Sequence, residues 1–221
     1  MRLVNSKYFD VINISDENPE TLVLENPNHF MGVLQSLKYQ CETDEGDYVL
    51  SDENFRILPL SKSLIVIKDF LDLELYSKQL KNKLLGLIST NYNDLDSQKD
   101  VIANLNELAV EIVNNLPYSI SFKQTINFTD LIKFLDFSFD YSGFTVWEQF
   151  SEYVSTIFDL LDYKILVTVN LKDYVDNDEY IELIKFFKNK KIPTLMIERY
   201  THEELDDISH IRIIDEDLCV L

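Results

Sequence analysis

Five polar residues follow short apolar runs in this chain: Glu25, Asp69, Asn170, Glu198 and Arg199. The runs are rich in β-branched residues. Lys164-Ile-Leu-Val-Thr-Val-Asn170 has the composition of a strand buried on both faces. In open α/β sheets, ligands collect at the carboxyl ends of the strands. Three carboxylates at such an edge, Glu25, Asp69 and Glu198, have the oxygen chemistry that holds magnesium. One expectation is therefore a magnesium-dependent nuclease or phosphotransferase. The plainer expectation is that these residues open loops and cap helices.

Phosphate-loop chemistry is disfavoured. Thr21-Leu-Val-Leu-Glu25 reads as a buried strand, and a helix follows over 30–39. A phosphate loop between them needs glycines, so that backbone N–H groups can wrap the anion, and a Lys-Ser/Thr pair to finish the site. Here the junction is Glu25-Asn-Pro-Asn-His29, with neither glycine nor lysine. No nucleotide cofactor is expected. No serine lies in a Gly-x-Ser-x-Gly setting. His29, His202 and His210 lack helical i, i+4 spacing and read as surface or loop residues. Cys41 and Cys219 lie far apart, which suits a reducing compartment better than a disulfide framework.

Charge narrows the partners. The 39 acids and 20 bases leave a formal charge of −19, which repels phosphates over most of the surface. A polyanion site must be a local basic patch, a bound cation or a product of oligomerisation. Two lysine clusters qualify. Lys78, Lys81 and Lys83 lie near the start of a helix, and Lys78 and Lys81 share a face. Lys185, Lys188, Lys190 and Lys191 lie near a helix end, where the dipole favours cations. The first residues show no charged-then-apolar signal pattern, and no apolar run approaches the ~18 residues that span a bilayer. A soluble, cytoplasmic protein is expected.

The elements that would position these residues fall into two groups. Lys164-to-Asn170, a helix over 179–189 capped by Asp178, and Ile192-Pro-Thr-Leu-Met-Ile-Glu198 read as strand, helix, strand, hence a parallel pair. Strands over 1–4 and 10–14, a small hairpin over 48–50 and 54–58, a buried strand over 63–67 and a last strand over 210–214 complete an α/β head, 1–70 with 163–221. Between them, helices over 75–88, 95–115, 128–134 and 145–161 read as an inserted helical leg, 71–162. Ile102, Leu105, Leu108, Ala109, Ile112 and Val113 form an apolar stripe at helical spacing, more than one leg can bury alone. A homo-oligomer is expected.

These runs, in this order and spacing, carry a resemblance along nearly the whole chain. They are Thr21-Leu-Val-Leu-Glu25 with Asn-Pro-Asn-His-Phe30, Leu64-Ile-Val-Ile-Lys-Asp69, and Gln124-Thr-Ile-Asn-Phe-Thr-Asp-Leu-Ile-Lys133. Lys164 to Asn170, Thr194-Leu-Met-Ile-Glu-Arg199 and Ile213-Ile-Asp-Glu-Asp217 follow. The chain resembles the ring-forming spacer-acquisition proteins of type II-A CRISPR systems, the small Csn-type accessory proteins. The resemblance implies a degenerate P-loop ATPase-like parallel sheet head with an inserted helical leg, and no enzymatic activity. It also implies a homotetrameric ring whose lysine-lined hole takes double-stranded DNA, with a preference for ends, in antiviral defence. Implied partners are the CRISPR integrase pair and the RNA-guided nuclease. Lys81 or Lys83 falls near a family lysine, whereas Lys185 to Lys191 has no clear counterpart. The family uses calcium, held by acids around the helix that here begins near Phe128. Of those acids this chain keeps Asp130, while Tyr118-Ser-Ile-Ser-Phe-Lys-Gln124 before it carries none.

Calorimetry should find no micromolar affinity for ATP. A micromolar dissociation constant would overturn the reading of the 25–29 junction.

Overall fold

The computed structural model describes residues 1–75, 77–92, 95–123, 125–201 and 209–221. In chain order the elements are β1 (Arg2–Asn5), β2 (Phe9–Asn13), β3 (Glu20–Leu24), α1 (Pro27–Thr43), β4 (Val49–Ser51), β5 (Ile57–Leu58), α2 (Leu60–Ser63) and β6 (Leu64–Ile67). Three helices follow, α3 (Lys78–Asn91), α4 (Asp96–Asn115) and α5 (Phe128–Leu135). The chain closes with α6 (Val146–Leu161), β7 (Ile165–Val169), a 3₁₀ turn (Leu171–Tyr174), α7 (Asn177–Asn189), β8 (Thr194–Glu198) and β9 (His210–Ile214). His202, named above as a loop residue, and Gln124 of the quoted motif lie outside the described residues.

The chain divides into two compact units, Met1–Leu73 with Gly143–Leu221, and Glu74–Ser142. The first holds a parallel sheet of order β6-β7-β8-β3-β9 and an antiparallel sheet of order β2-β1-β4-β5. Every residue of β7 and β8 is buried, as their continuous apolar composition requires. One face of the parallel sheet carries Leu22, Leu24, Ile165, Val167, Leu195 and Ile197. These share a core with Phe30, Val33 and Leu37 of α1 and with Leu3, Ile12 and Leu50 of the antiparallel sheet. The opposite face carries Thr21, Thr168, Met196 and Glu198, and Tyr180 of α7 donates its hydroxyl to Met196 Sδ there (3.2 Å).

The boundary of the insertion differs from the sequence reading. Helix α6 belongs to the sheet-bearing unit, so the leg is shorter than 71–162. The reason is aromatic packing. Phe150 is fully buried, with its ring 5.3 Å from Phe70 and 6.3 Å from Phe187 of α7. Tyr153, Val154 and Ile157 are buried on the same stripe. Other elements shift locally. Helix α7 is capped by Asp176 rather than Asp178, because Asp176 and Glu179 close a reciprocal capping box (2.8 and 3.1 Å). Helix α1 starts at Pro27, three residues earlier than expected. The 54–58 strand shrinks to β5, because the Asp52 carboxylate accepts from the amides of Asn54 and Arg56 and bends the chain.

The second unit holds α3, α4 and α5. Helices α3 and α5 are in contact, and each buries one residue fully, Leu80 and Ile132. Helix α4, twenty residues long, buries none.

Phe150→Ala should destabilise the chain by about 3–5 kcal/mol, since it empties the aromatic centre beneath the sheet. Val146→Ala, on the exposed edge of the same helix, should stay within about 0.5 kcal/mol. Chemical denaturation checks both, and equal losses would refute the assignment of α6.

Candidate functional site

The strand order brings four strand ends to one edge, but it spaces their acids. Asp69 lies beyond β6, two strands from β8, and adjacent strands sit about 4.8 Å apart. Asp69 is exposed, and its carboxylate accepts from the amides of Leu71 and Asp72 (3.0 and 3.2 Å). Glu25 accepts from the Thr201 hydroxyl at 3.4 Å. Glu198 is 1% exposed. Among the described residues, no group of three or more His, Cys, Asp or Glu side chains converges as a metal site would. Glu25, Asp69 and Glu198 thus occupy the predicted edge without forming one magnesium-binding set.

Next to them, the donors that a phosphate loop would offer are already engaged. Asn26 caps α1, its Oδ1 accepting from the amides of Asn28 (3.0 Å) and His29 (3.1 Å). Pro27 has no N–H to give. The Asn26 amide donates in turn to the Glu216 carbonyl (3.0 Å), and the Glu25 N–H to the Ile214 carbonyl (3.0 Å). Arg199 donates to the Leu24 carbonyl (3.1 Å). An internal side chain stands where an anion would sit.

Glu198 has a different chemistry from the one its position suggests. It ends β8 beside Asn170, which adopts a left-handed conformation (φ 50°) and caps the 3₁₀ turn. Glu198 Oε1, Asn170 Oδ1 and Thr168 Oγ1 are buried and have no hydrogen-bond partner among the described residues. Burial pushes the Glu198 carboxyl up to about 8. The Lys172 and Leu171 amides and the Lys172 charge oppose that shift, and Asp173 adds to it. At neutral pH the group is a neutral acid. A protonated carboxyl can donate through its O–H, which an ionised carboxylate cannot.

The two lysine clusters fare differently. Lys81 forms an ion pair with Asp136, the left-handed residue that ends α5. Its charge is partly answered there, which leaves the Lys78–Lys81 face with one unpaired ammonium among the described residues. No local signal marked this pair, because the partners lie 55 residues apart. Lys78 and Lys83 are exposed, with no carboxylate within ion-pair reach among the described residues, but their five-residue spacing puts them on different faces. Lys185 and Lys188 lie three apart on α7, and Lys190 and Lys191 follow at its end. No described carboxylate pairs with any of these four, which makes them the denser unneutralised patch.

Asp130 does not fit the calcium role. It is the third residue of α5 and closes a capping box with Asn127 (2.9 and 3.1 Å). The same Oδ2 accepts from Lys123 Nζ at 2.6 Å. The Lys123 hydrogen bond, then the Asn127 amide, hold this carboxyl below its ordinary value. Calcium takes six to eight oxygens, and one carboxylate facing an ammonium does not supply them.

Comparison with known proteins places these features. The family model of the CRISPR-associated protein (Cas_Csn2) matches residues 40–218. Among solved structures, the chain is similar to an ATP-binding cassette of an ABC transporter in its ADP conformation. The TM-score is 0.50 at 13% identity, over 97% of this chain and 87% of that one. A nucleotide-free ATP-binding cassette from an ABC transporter gives a TM-score of 0.46 at 12% identity, with the same coverage. The first likeness is one of fold. It agrees with the parallel five-stranded sheet.

Glu198→Gln should flatten the pH dependence of stability. The folded state holds this proton more tightly than the unfolded state, whose carboxyl titrates near 4.5. Stability therefore falls as pH rises from about 4.5 to about 8 and levels off above. The amide removes that slope and supplies a permanent donor, a gain on the order of 4 kcal/mol at pH 8. Denaturant melts at pH 5 and pH 8 measure it, and an unchanged slope would exclude a buried neutral acid.

Proposed function

The chain belongs to the CRISPR-associated Cas_Csn2 family, and we propose that it is a non-enzymatic, sequence-independent binder of double-stranded DNA ends. In this reading it works as a homotetrameric ring in the cytoplasm and supports spacer acquisition with the CRISPR integrase pair and the RNA-guided nuclease.

The observation that carries the reading is the unneutralised patch of Lys185, Lys188, Lys190 and Lys191 on an otherwise acidic chain. Four copies of a chain at −19 carry −76, which repels DNA at long range. Contact must then be short-range, in an opening where lysines displace counterions from the phosphates. Lysine is a point charge and reads little sequence, so such contacts position the duplex without selecting bases. A closed opening also explains a preference for ends, because a circle cannot be threaded.

Helix α4 supports assembly. It buries no residue, while Leu105, Leu108, Ile112 and Leu116 are 38–54% exposed. An apolar stripe of that length is stabilised by a second copy. The non-enzymatic reading draws on the engaged donors at Asn26 and on the separation of Glu25, Asp69 and Glu198. No helix among the described residues is long and apolar enough to cross a membrane.

A gel shift with linear and closed circular duplex over a salt series tests the proposal. Linear DNA should bind, closed circles should not, and affinity should fall steeply with salt. Lys185→Glu with Lys188→Glu should abolish the shift. If that variant still binds, the patch on α7 is the wrong one, and Lys78 and Lys83 become the candidates. Circles that bind as well as linear DNA would refute threading. Light scattering on the same sample should give four times 26.0 kDa, and a 26.0 kDa species alone would refute the ring.

A further inference from the structure

Helix α5 has eight residues, too few to persist without help at its ends. Each end has an acid answered by a lysine from elsewhere in the chain. At the first turn, Asp130 Oδ2 meets Lys123 Nζ at 2.6 Å while it accepts from the Asn127 amide. At the last turn, Asp136 meets Lys81 of α3. The family resemblance implies a calcium ion at the first of these places, and the residues present do not fit one. The stretch 118–123 brings no carboxylate there. Asn127 Oδ1, a neutral oxygen beside it, already accepts from the Asp130 amide (2.9 Å). A divalent cation would have to share the Asp130 oxygen with an ammonium of like charge.

We infer that Lys123 takes the place of a structural calcium ion in this chain, so that α5 and the stretch leading into it hold together without a divalent metal. A calcium ion would tie the chain before α5 to its first turn by bridging oxygens. Lys123 makes the same tie through an ammonium carried on that very stretch. The substitution changes the chemistry in one readable way. The pair is largely open to solvent, at 64% and 35% exposure, so the tie weakens with salt and ignores chelators.

The test is thermal melting of the full chain in EDTA and in millimolar calcium, with wild type, Lys123→Arg and Lys123→Glu. Wild type and Lys123→Arg should melt at the same temperature in both. Lys123→Glu sets a second carboxylate beside Asp130. It should melt about 2–4 °C lower in EDTA and recover when calcium is added. A saturable calcium response of the wild type would overturn the inference. So would a Lys123→Glu variant that melts like wild type in EDTA, or one that calcium does not rescue. The melt reads the chain's own stability, so failure of the DNA or ring readings would not decide it.

Discussion

Parallel pairing of β7 and β8 is the constraint on which the sheet-bearing unit depends. Neither strand leaves a residue to solvent, so both faces of the sheet must be covered. One face receives α1 and the antiparallel sheet over an apolar centre, and at its β9 edge Arg212 donates to the Val11 carbonyl (2.7 Å). The other carries Thr21, Thr168 and Glu198 as well as apolar residues, and Tyr180 of α7 packs against it. Buried polar groups of that kind are tolerated only when they find partners. Thr21 finds Ser209 at 3.0 Å, and Tyr180 finds Met196. Glu198 finds backbone amides for one oxygen and keeps its proton for the other. The neutral acid follows from the sheet's burial rather than from a catalytic arrangement.

The strands were legible because burial on both faces leaves a compositional mark. Leu64 to Ile67, Ile165 to Val169 and Thr194 to Glu198 are short, apolar and β-branched, and each forms its strand with little error. What a helical stripe packs against leaves no such mark. The stripe of α6 announces an amphipathic helix but not that Phe70 and Phe187 wait for Phe150. That is why α6 read as part of the insertion. The cap of α7 was a local choice between two aspartates, decided by Glu179, which completes a box only with Asp176.

The candidate site was legible in outline and not in detail. Position at the strand ends marked Glu25, Asp69 and Glu198 correctly as edge residues, yet position says nothing of protonation. Glu198 changes character through desolvation, a property of the whole unit. The lysines show the same limit. Counting charges singles out both clusters, but only the fold reveals that Lys81 is answered by Asp136 from a distant turn. Lys123 stood outside both clusters because a single lysine near an acid carries no signal until α5 sets Asp130 beside it.

The likeness to an ATP-binding cassette and the missing phosphate loop have one physical explanation at the start of α1. A helix N-terminus presents unpaired N–H groups and a partial positive charge, and something must satisfy them. In a phosphate loop the ligand does so, and the glycines keep the backbone open for it. Here Asn26 supplies the oxygen, Pro27 removes a donor, and the Asn26 amide is held by the Glu216 carbonyl. The acids Asp215, Glu216 and Asp217 bring negative charge to the same helix end, where the dipole favours it and an incoming phosphate would be repelled. The helix end is thus complete without a ligand, and the parallel sheet stands without an anion bound there. The unneutralised lysines near the end of α7 lie away from that edge, on the side where β8 begins.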